Sequence, residues 1–309
     1  MQFTRIRSSA SAAATAVATI ALVLSACSAS TGDRPLVIVS TNILGDVVEE
    51  LVGDEAEVVT LMKPNADPHS FEISAHEAAR LRSADLIVSN GLGLEEGLQK
   101  HLDEASAEEV PTFVAGDAID VLDYNEGDAD GNPDSHFWTD PARMISVVDA
   151  LEPILAELDG IDSAVVAEHT TQYRLQLQSL DAEMAASFAA IPDQRRALVT
   201  NHHVFGYLAD RFDFRVVGAV IPGGTTLAAP SASDLAELVD AVEKTGVPAI
   251  FAESSSPDRL VQALASEADI RVDVVELFTE SLTAPDGGAP DYLTMMRTNT
   301  ERISDGLTD

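Results

Sequence analysis

One long amphipathic segment limits what this chain can fold into. Val166, His169, Tyr173, Leu177, Leu180, Met184, Phe188 and Ile191 recur at steps of three and four, the spacing of one helix face. Ser163 is placed to cap its start and Pro192 to stop it. The helix therefore spans about 28 residues, or about 42 Å at 1.5 Å per residue. That length exceeds the width of a small domain, so the helix can cross from one folded half to another.

Both flanks have a different rhythm. Before the long helix, short apolar runs at Leu36–Ser40, Glu57–Met62, Leu86–Ser89 and Pro111–Ala115 read as strands. Helical stretches fall between them at Ile43–Val52, Ala75–Ser83 and Leu94–Glu104, and another follows Pro141 to about Leu158. After it, strands are predicted at Ala197–Thr200, Val216–Val220, Ala249–Ala252 and Val272–Phe278. Helices are predicted at Phe205–Arg211, Ser233–Thr245, Arg259–Glu267 and Tyr292–Gly306. Strand–helix alternation implies parallel sheets, so the fold class is α/β with two lobes joined by one long helix. The boundaries are residues 35–160 for the first lobe, 161–192 for the bridge and 193–309 for the second lobe. Asp123–Asp134 lacks periodicity and reads as an acidic loop. Asp128, Asp130, Asn132 and Asp134 imitate a calcium loop, but Pro133 stands where glycine is needed and Thr139 where glutamate is needed.

Residues 1–26 read as a targeting segment rather than as fold. Arg5 and Arg7 precede a short apolar run that ends in small residues. Leu24-Ser-Ala-Cys27 then has the form of a lipobox, which marks Cys27 as a lipid attachment point and predicts an extracytoplasmic, membrane-anchored protein. Cys27 is the single cysteine, so no internal disulfide can form. Residues 27–34 read as a flexible tether.

The chain carries 52 acidic and 18 basic residues and a formal charge of −34. Removing the leader removes two arginines and no acid. Such a balance excludes a nucleic-acid partner, which needs a basic footprint. It permits cation binding, although a solubilising acidic surface accounts for most of the carboxylates.

Three of the seven histidines occupy matching places. His69 follows a predicted strand, His136 precedes a helix, and His202 lies between a strand and a helix. Open α/β sheets bind ligands at the carboxyl ends of their strands, so two facing lobes can bring these loops together. Three neutral imidazoles and a carboxylate complete a tetrahedral zinc shell. Taken singly, each histidine suits a turn or helix cap better than a metal; it is the shared position that points to a metal. Pro68 stiffens the loop before His69. His169 fits the apolar face of the long helix as a packed residue, while His76 and His101 lie on predicted helices without a partner and read as surface residues.

The motifs Asp67-Pro-His-Ser-Phe-Glu72, His136-Phe-Trp-Thr-Asp-Pro141, His202-His-Val-Phe-Gly-Tyr207 and Phe251-Ala-Glu-Ser254 resemble those of zinc/manganese solute-binding lipoproteins of ABC importers, the ZnuA/TroA type. Leu277-Phe-Thr-Glu-Ser-Leu282 and Tyr292-Leu-Thr-Met-Met-Arg-Thr-Asn299 extend the resemblance, which runs from about Leu36 to Leu307. Asn201-His-His-Val-Phe205 and Ile221-Pro-Gly-Gly-Thr-Thr226 are most similar to the AztC-type zinc-binding branch. The resemblance implies two Rossmann-like lobes bridged by the long helix, with metal in the cleft between them. It implies His69, His136 and His202 as ligands. The fourth is normally an aspartate in the last strand–helix loop, and Glu280 holds that place, with Glu276 as its rival. It makes His203 a solvent-facing neighbour or transient contact. Asp67, Asp140 and Glu253 are candidates to orient the imidazoles from behind, since a ligating histidine usually donates its other N–H to an oxygen. The implied partners are a permease, a separate ATPase chain and a zinc chaperone, with the protein itself a monomer and not an enzyme.

Other readings compete with zinc delivery. Manganese prefers more oxygen ligands than this set supplies. A zinc hydrolase needs an open coordination position, which a carboxylate at Glu280 would close. A surface adhesin has only the lipid anchor in its favour. Gly91-Leu-Gly-Leu-Glu-Glu-Gly97 is close to a dinucleotide fingerprint, but its third glycine falls one place late, and no phosphate-binding loop is present.

Overall fold

Runs of branched aliphatic residues build the first sheet: β1 (Leu36–Val39), β2 (Glu57–Thr60), β3 (Leu86–Ser89) and β4 (Thr112–Val114). All pair in parallel, in the order β2-β1-β3-β4. Parallel neighbours need crossovers, which α1 (Asn42–Val52), α2 (Ala75–Leu81) and α3 (Gln99–Ala107) provide. Alternate side chains serve opposite faces. Val37, Val39 and Val88 enter the main core, while Ile38 and Ile87 pack with Leu61, Leu81 and Leu98 on the other side.

The second sheet holds β5 (Ala197–Thr200), β6 (Arg215–Ala219), β7 (Ala249–Glu253) and β8 (Asp273–Leu277). Its order, β6-β5-β7-β8, repeats that of the first sheet. Each sheet therefore has a switch point where the chain reverses its direction of travel, between β1 and β3 and between β5 and β7, and ligand sites form beside such points. Around it lie α6 (Gly206–Phe212), α7 (Ala232–Thr245), α8 (Arg259–Glu267) and α9 (Tyr292–Thr308).

The structure, a computed structural model, describes Gln2 and residues 34–124, 131–221, 224–227, 231–255, 259–267 and 272–308. The targeting segment, Cys27 and nearly all of the tether lie outside the described residues, as do residues 125–130 of the acidic loop. Pro35–Asp309 forms a single compact unit containing both sheets. Among the described residues, no helix is long and apolar enough to cross a membrane.

The bridge is α5 (Ser163–Ala189), 27 residues long, preceded by α4 (Pro141–Ala156). It packs on α1 and α4 at one end and on α9 at the other. Its Tyr173, Leu177, Leu180 and Met184 belong to one apolar cluster that runs from Val37 to Leu307. Each such side chain contributes about 1.5–3 kcal/mol on full burial, so packing rather than propensity holds this helix.

Three sequence expectations need correction. Asp162, not Ser163, caps α5, its carboxylate accepting the Ala164 N–H at 3.0 Å; Ser163 is already helical. Thr170, rather than His169, fills the buried position between Val166 and Tyr173. His169 is half-buried at the edge, against Gly53, where a Cβ would stand 2.7 Å from its Cε1. Finally, α3 begins at Gln99 instead of Leu94. Gly91, Leu92 and Gly93 adopt positive φ, and Glu95 turns its carboxylate back into the protein, so residues 91–98 form a shaped loop.

Candidate metal centre

Every loop that carries a site residue leaves the carboxyl end of a strand. His69 lies between β2 and α2, and His136 between β4 and α4. His202 follows β5, and Glu280 follows β8.

Two of the histidines are held by the same local device. Asp67 and Asp134 each stand two residues before a histidine and accept its backbone N–H, at 2.8 Å for His69 and 2.9 Å for His136. Such Asx turns fix the loop without secondary structure. His136 then leads into a short 3-10 turn, Phe137–Thr139, with Asp140 capping α4 behind it. At His202 the carbonyl accepts the Thr200 hydroxyl at 2.6 Å.

The structure brings His69, His136, His202 and Glu280 together, with one donor atom from each lying within 4.8 Å of all the others. All four residues are at most 1 % exposed. Glu280 Oε1 stands 3.0 Å from His69 Nε2, 3.1 Å from His136 Nε2 and 3.1 Å from His202 Nε2. His136 Nε2 and His202 Nε2 are 3.4 Å apart. A tetrahedral zinc ion bonded at 2.0–2.1 Å sets its donors about 3.3–3.4 Å apart, so the spacing fits such an ion. Glu280 Oε2 is buried and has no protein partner.

Charge organises this cluster. Burial alone would push the His202 imidazole down, but the Glu280 charge, with Glu253 behind it, outweighs burial and raises it well above the usual range. Burial likewise opposes a raised His136, and Asp134 and Glu280 overcome it. Burial favours a neutral Glu280, yet the surrounding imidazoles hold it well below the ordinary carboxylate value. A buried anion facing three imidazoles is satisfied by protons or by a cation.

Each imidazole has different company at its remote nitrogen. His136 Nδ1 meets Asp134 Oδ1 at 2.8 Å and the Tyr124 hydroxyl at 3.1 Å. His202 Nδ1 lies 3.4 Å from Glu253 Oε2, close enough for charge but off the hydrogen-bond line. His69 Nδ1 is buried without a partner.

Of the three residues suggested by sequence to orient the imidazoles, Glu253 alone faces a ring. Asp67 acts on the backbone of His69, and Asp140 caps α4 at the Ala142 N–H while facing Arg143 and Arg211. Asp134 and Tyr124 are the residues that sequence reasoning missed. The repeated Asp-x-His spacing at 67–69 and 134–136 was the available signal. Glu276 is not part of the cluster; its side chain is 62 % exposed beside Arg302. His203, expected to be either solvent-facing or a transient contact, is half-buried next to Tyr124. His76 is exposed, and His101 is half-buried with Glu104 at 3.6 Å.

Residues 37–306 match the family described as "Zinc-uptake complex component A periplasmic". Among curated relatives, the metal ABC transporter substrate-binding lipoprotein SsaB of Streptococcus sanguinis is 29 % identical over 286 residues, covering 90 % of this chain and 91 % of its own. The manganese-binding lipoprotein MntA of Halalkalibacterium halodurans is 25 % identical over 295 residues, covering 94 % and 96 %. Among solved structures, the periplasmic zinc binding protein TroA from Treponema pallidum superposes with a TM-score of 0.83 at 28 % identity, over 89 % of this chain and 100 % of that one.

Proposed function

This chain belongs to the periplasmic zinc-uptake complex component A family, and from that premise we propose that it captures a single zinc ion outside the cytoplasm and delivers it to an ABC permease. It is a metal-binding substrate-binding protein rather than an enzyme, and its import partners are a permease and an ATPase on separate chains.

Zinc as the cargo rests on one observation above all. Three buried imidazole nitrogens converge on one buried carboxylate oxygen at 3.0–3.1 Å. In this reading His69, His136, His202 and Glu280 are the ligands. A donor set dominated by nitrogen suits zinc better than manganese. Glu280 replaces the family's usual aspartate and occupies the position that a hydrolytic zinc would leave for water.

The second reading, manganese delivery, has the names of relatives such as MntA in its favour. The similarity of Asn201–Phe205 and Ile221–Thr226 to the AztC-type branch supports zinc instead. In this account, Cys27 carries the lipid anchor, the lobes divide at residues 160 and 192, and the protein works as a monomer served by a zinc chaperone. The experiment is elemental analysis of protein lacking residues 1–27, purified without added metal or chelator. One zinc per chain is expected; manganese in its place, or no metal, would refute the reading.

A further inference from the structure

The glycine-rich run from Gly91 to Gly97, which resembled a nucleotide motif, forms a shelf beside His69. Gly91 and Gly93 take φ values of 76° and 81°. Glu95 is buried, with Oε1 accepting the Asn90 N–H at 2.6 Å and the Ser40 hydroxyl at 2.7 Å, and Oε2 accepting the Gly91 N–H at 3.1 Å. Gly97 donates its N–H to the His69 carbonyl at 3.3 Å, and a Cβ there would collide with the Phe71 carbonyl. Two glycines at positive φ, a buried anchor and a close backbone approach therefore fix where the next side chain begins. That side chain is Glu96.

Glu96 Oε1 lies 3.9 Å from His69 Nδ1, the one remote imidazole nitrogen of the three without a nearer carboxylate. The same oxygen accepts the hydroxyl of Thr225, from the second lobe, at 2.8 Å. Next to it, Thr226 donates to Asp67 Oδ2 at 2.6 Å, and Asp67 Oδ1 holds the His69 N–H. Two neighbouring hydroxyls of one lobe thus grip the two carboxylates that flank a single histidine of the other. Glu96 is about half exposed, so without Thr225 nothing among its described contacts would keep it turned toward the ring.

We propose that Glu96 is a positioning residue for His69, and that Thr225 holds it in place when the two lobes meet. At 3.9 Å the carboxylate reaches the ring by charge rather than by a hydrogen bond, and it favours the orientation in which Nδ1 faces it and Nε2 faces the site. Loss of the lobe contact would free Glu96, weaken His69 as a ligand and favour release. Metal retention is thereby coupled to contact between the lobes through Thr225, Glu96 and His69. This inference rests on the metal-site reading above.

A double-mutant cycle tests it, with zinc affinity measured by chelator competition on the soluble chain. Glu96→Gln should weaken zinc about tenfold, the low end of the effect typical of outer-shell partners. Thr225→Val should weaken it in the same direction, Thr225→Ser should match the wild type, and the double variant should be no weaker than Glu96→Gln alone. Metal-free unfolding temperatures should stay at the wild-type value. The proposal is overturned if Glu96→Gln leaves affinity within twofold of wild type, if the two effects add, or if they merely track lost metal-free stability. Failure of the wild type itself to bind zinc would instead defeat the underlying site.

Discussion

Glu280 Oε1 and His69 Nε2 lie 3.0 Å apart although 211 residues separate them and they belong to different lobes. With Glu280 the anion from the second sheet and His69 and His136 both from the first, contact between the lobes assembles the cluster proposed to hold the metal.

Glu280→Ala therefore removes the one carboxylate of the proposed ligand set and leaves three imidazoles. Zinc affinity should fall by at least tenfold without disappearing, since the imidazoles remain. Glu280→Asp should be milder, and Glu276→Ala should stay near wild type because that side chain points to solvent. Chelator competition on all three variants decides it. The reverse order, with Glu276 critical and Glu280 dispensable, would refute the assignment.

Asp134→Asn tests the hydrogen bond behind His136. Aspartate only accepts, so it holds the proton on Nδ1 and leaves Nε2 free to ligate. An asparagine amide can donate to Nδ1 and trap the proton on Nε2. Zinc affinity should drop about 10–100-fold, the range for outer-shell partners. Unchanged affinity in the same titration would show that Asp134 serves only the loop.

The acid dependence has a definite sign. His136 and His202 are raised above their usual range in the metal-free protein, so zinc must displace protons from them. On acidification, affinity should begin to fall while the pH is still above 6.5, the value at which an unperturbed imidazole would begin to titrate, by about one log unit per pH unit for each proton displaced. The imidazolium–carboxylate pairs stabilise the metal-free fold below the raised histidine values, and that stabilisation is lost as pH rises through them. Metal-free unfolding temperature should thus decline with rising pH while zinc affinity climbs. Isothermal titration across pH 5–8 with parallel thermal scans checks both; a flat affinity profile would contradict a three-histidine site.

Sequence made the four loops that meet in the cluster legible because topology, not detail, places them. His69, His136, His202 and Glu280 each follow a strand end, and repeated strand–helix alternation fixes which ends face the cleft. The preference for Glu280 over Glu276 came from the same logic, since a residue inside β8 cannot reach a site beyond its end. Asp134 escaped notice because it sits in an acidic stretch where charge suggests solvent, and its carboxylate is turned inward by a hydrogen bond to the next-but-one residue. The Thr225–Glu96 contact spans 129 residues and joins two loops without regular structure, so no local pattern announces it. His169 was misplaced by one helical step, because Thr170 carries too little hydrophobicity to mark the buried stripe.

In the proposed site, three imidazoles and one carboxylate select zinc over manganese. Competition titration of the metal-free soluble protein against a calibrated chelator, run with zinc and with manganese at one pH and ionic strength, tests it most directly. One site per chain is expected, with zinc bound at least about 100-fold more tightly than manganese. Equal affinities, or a preference for manganese, would contradict it.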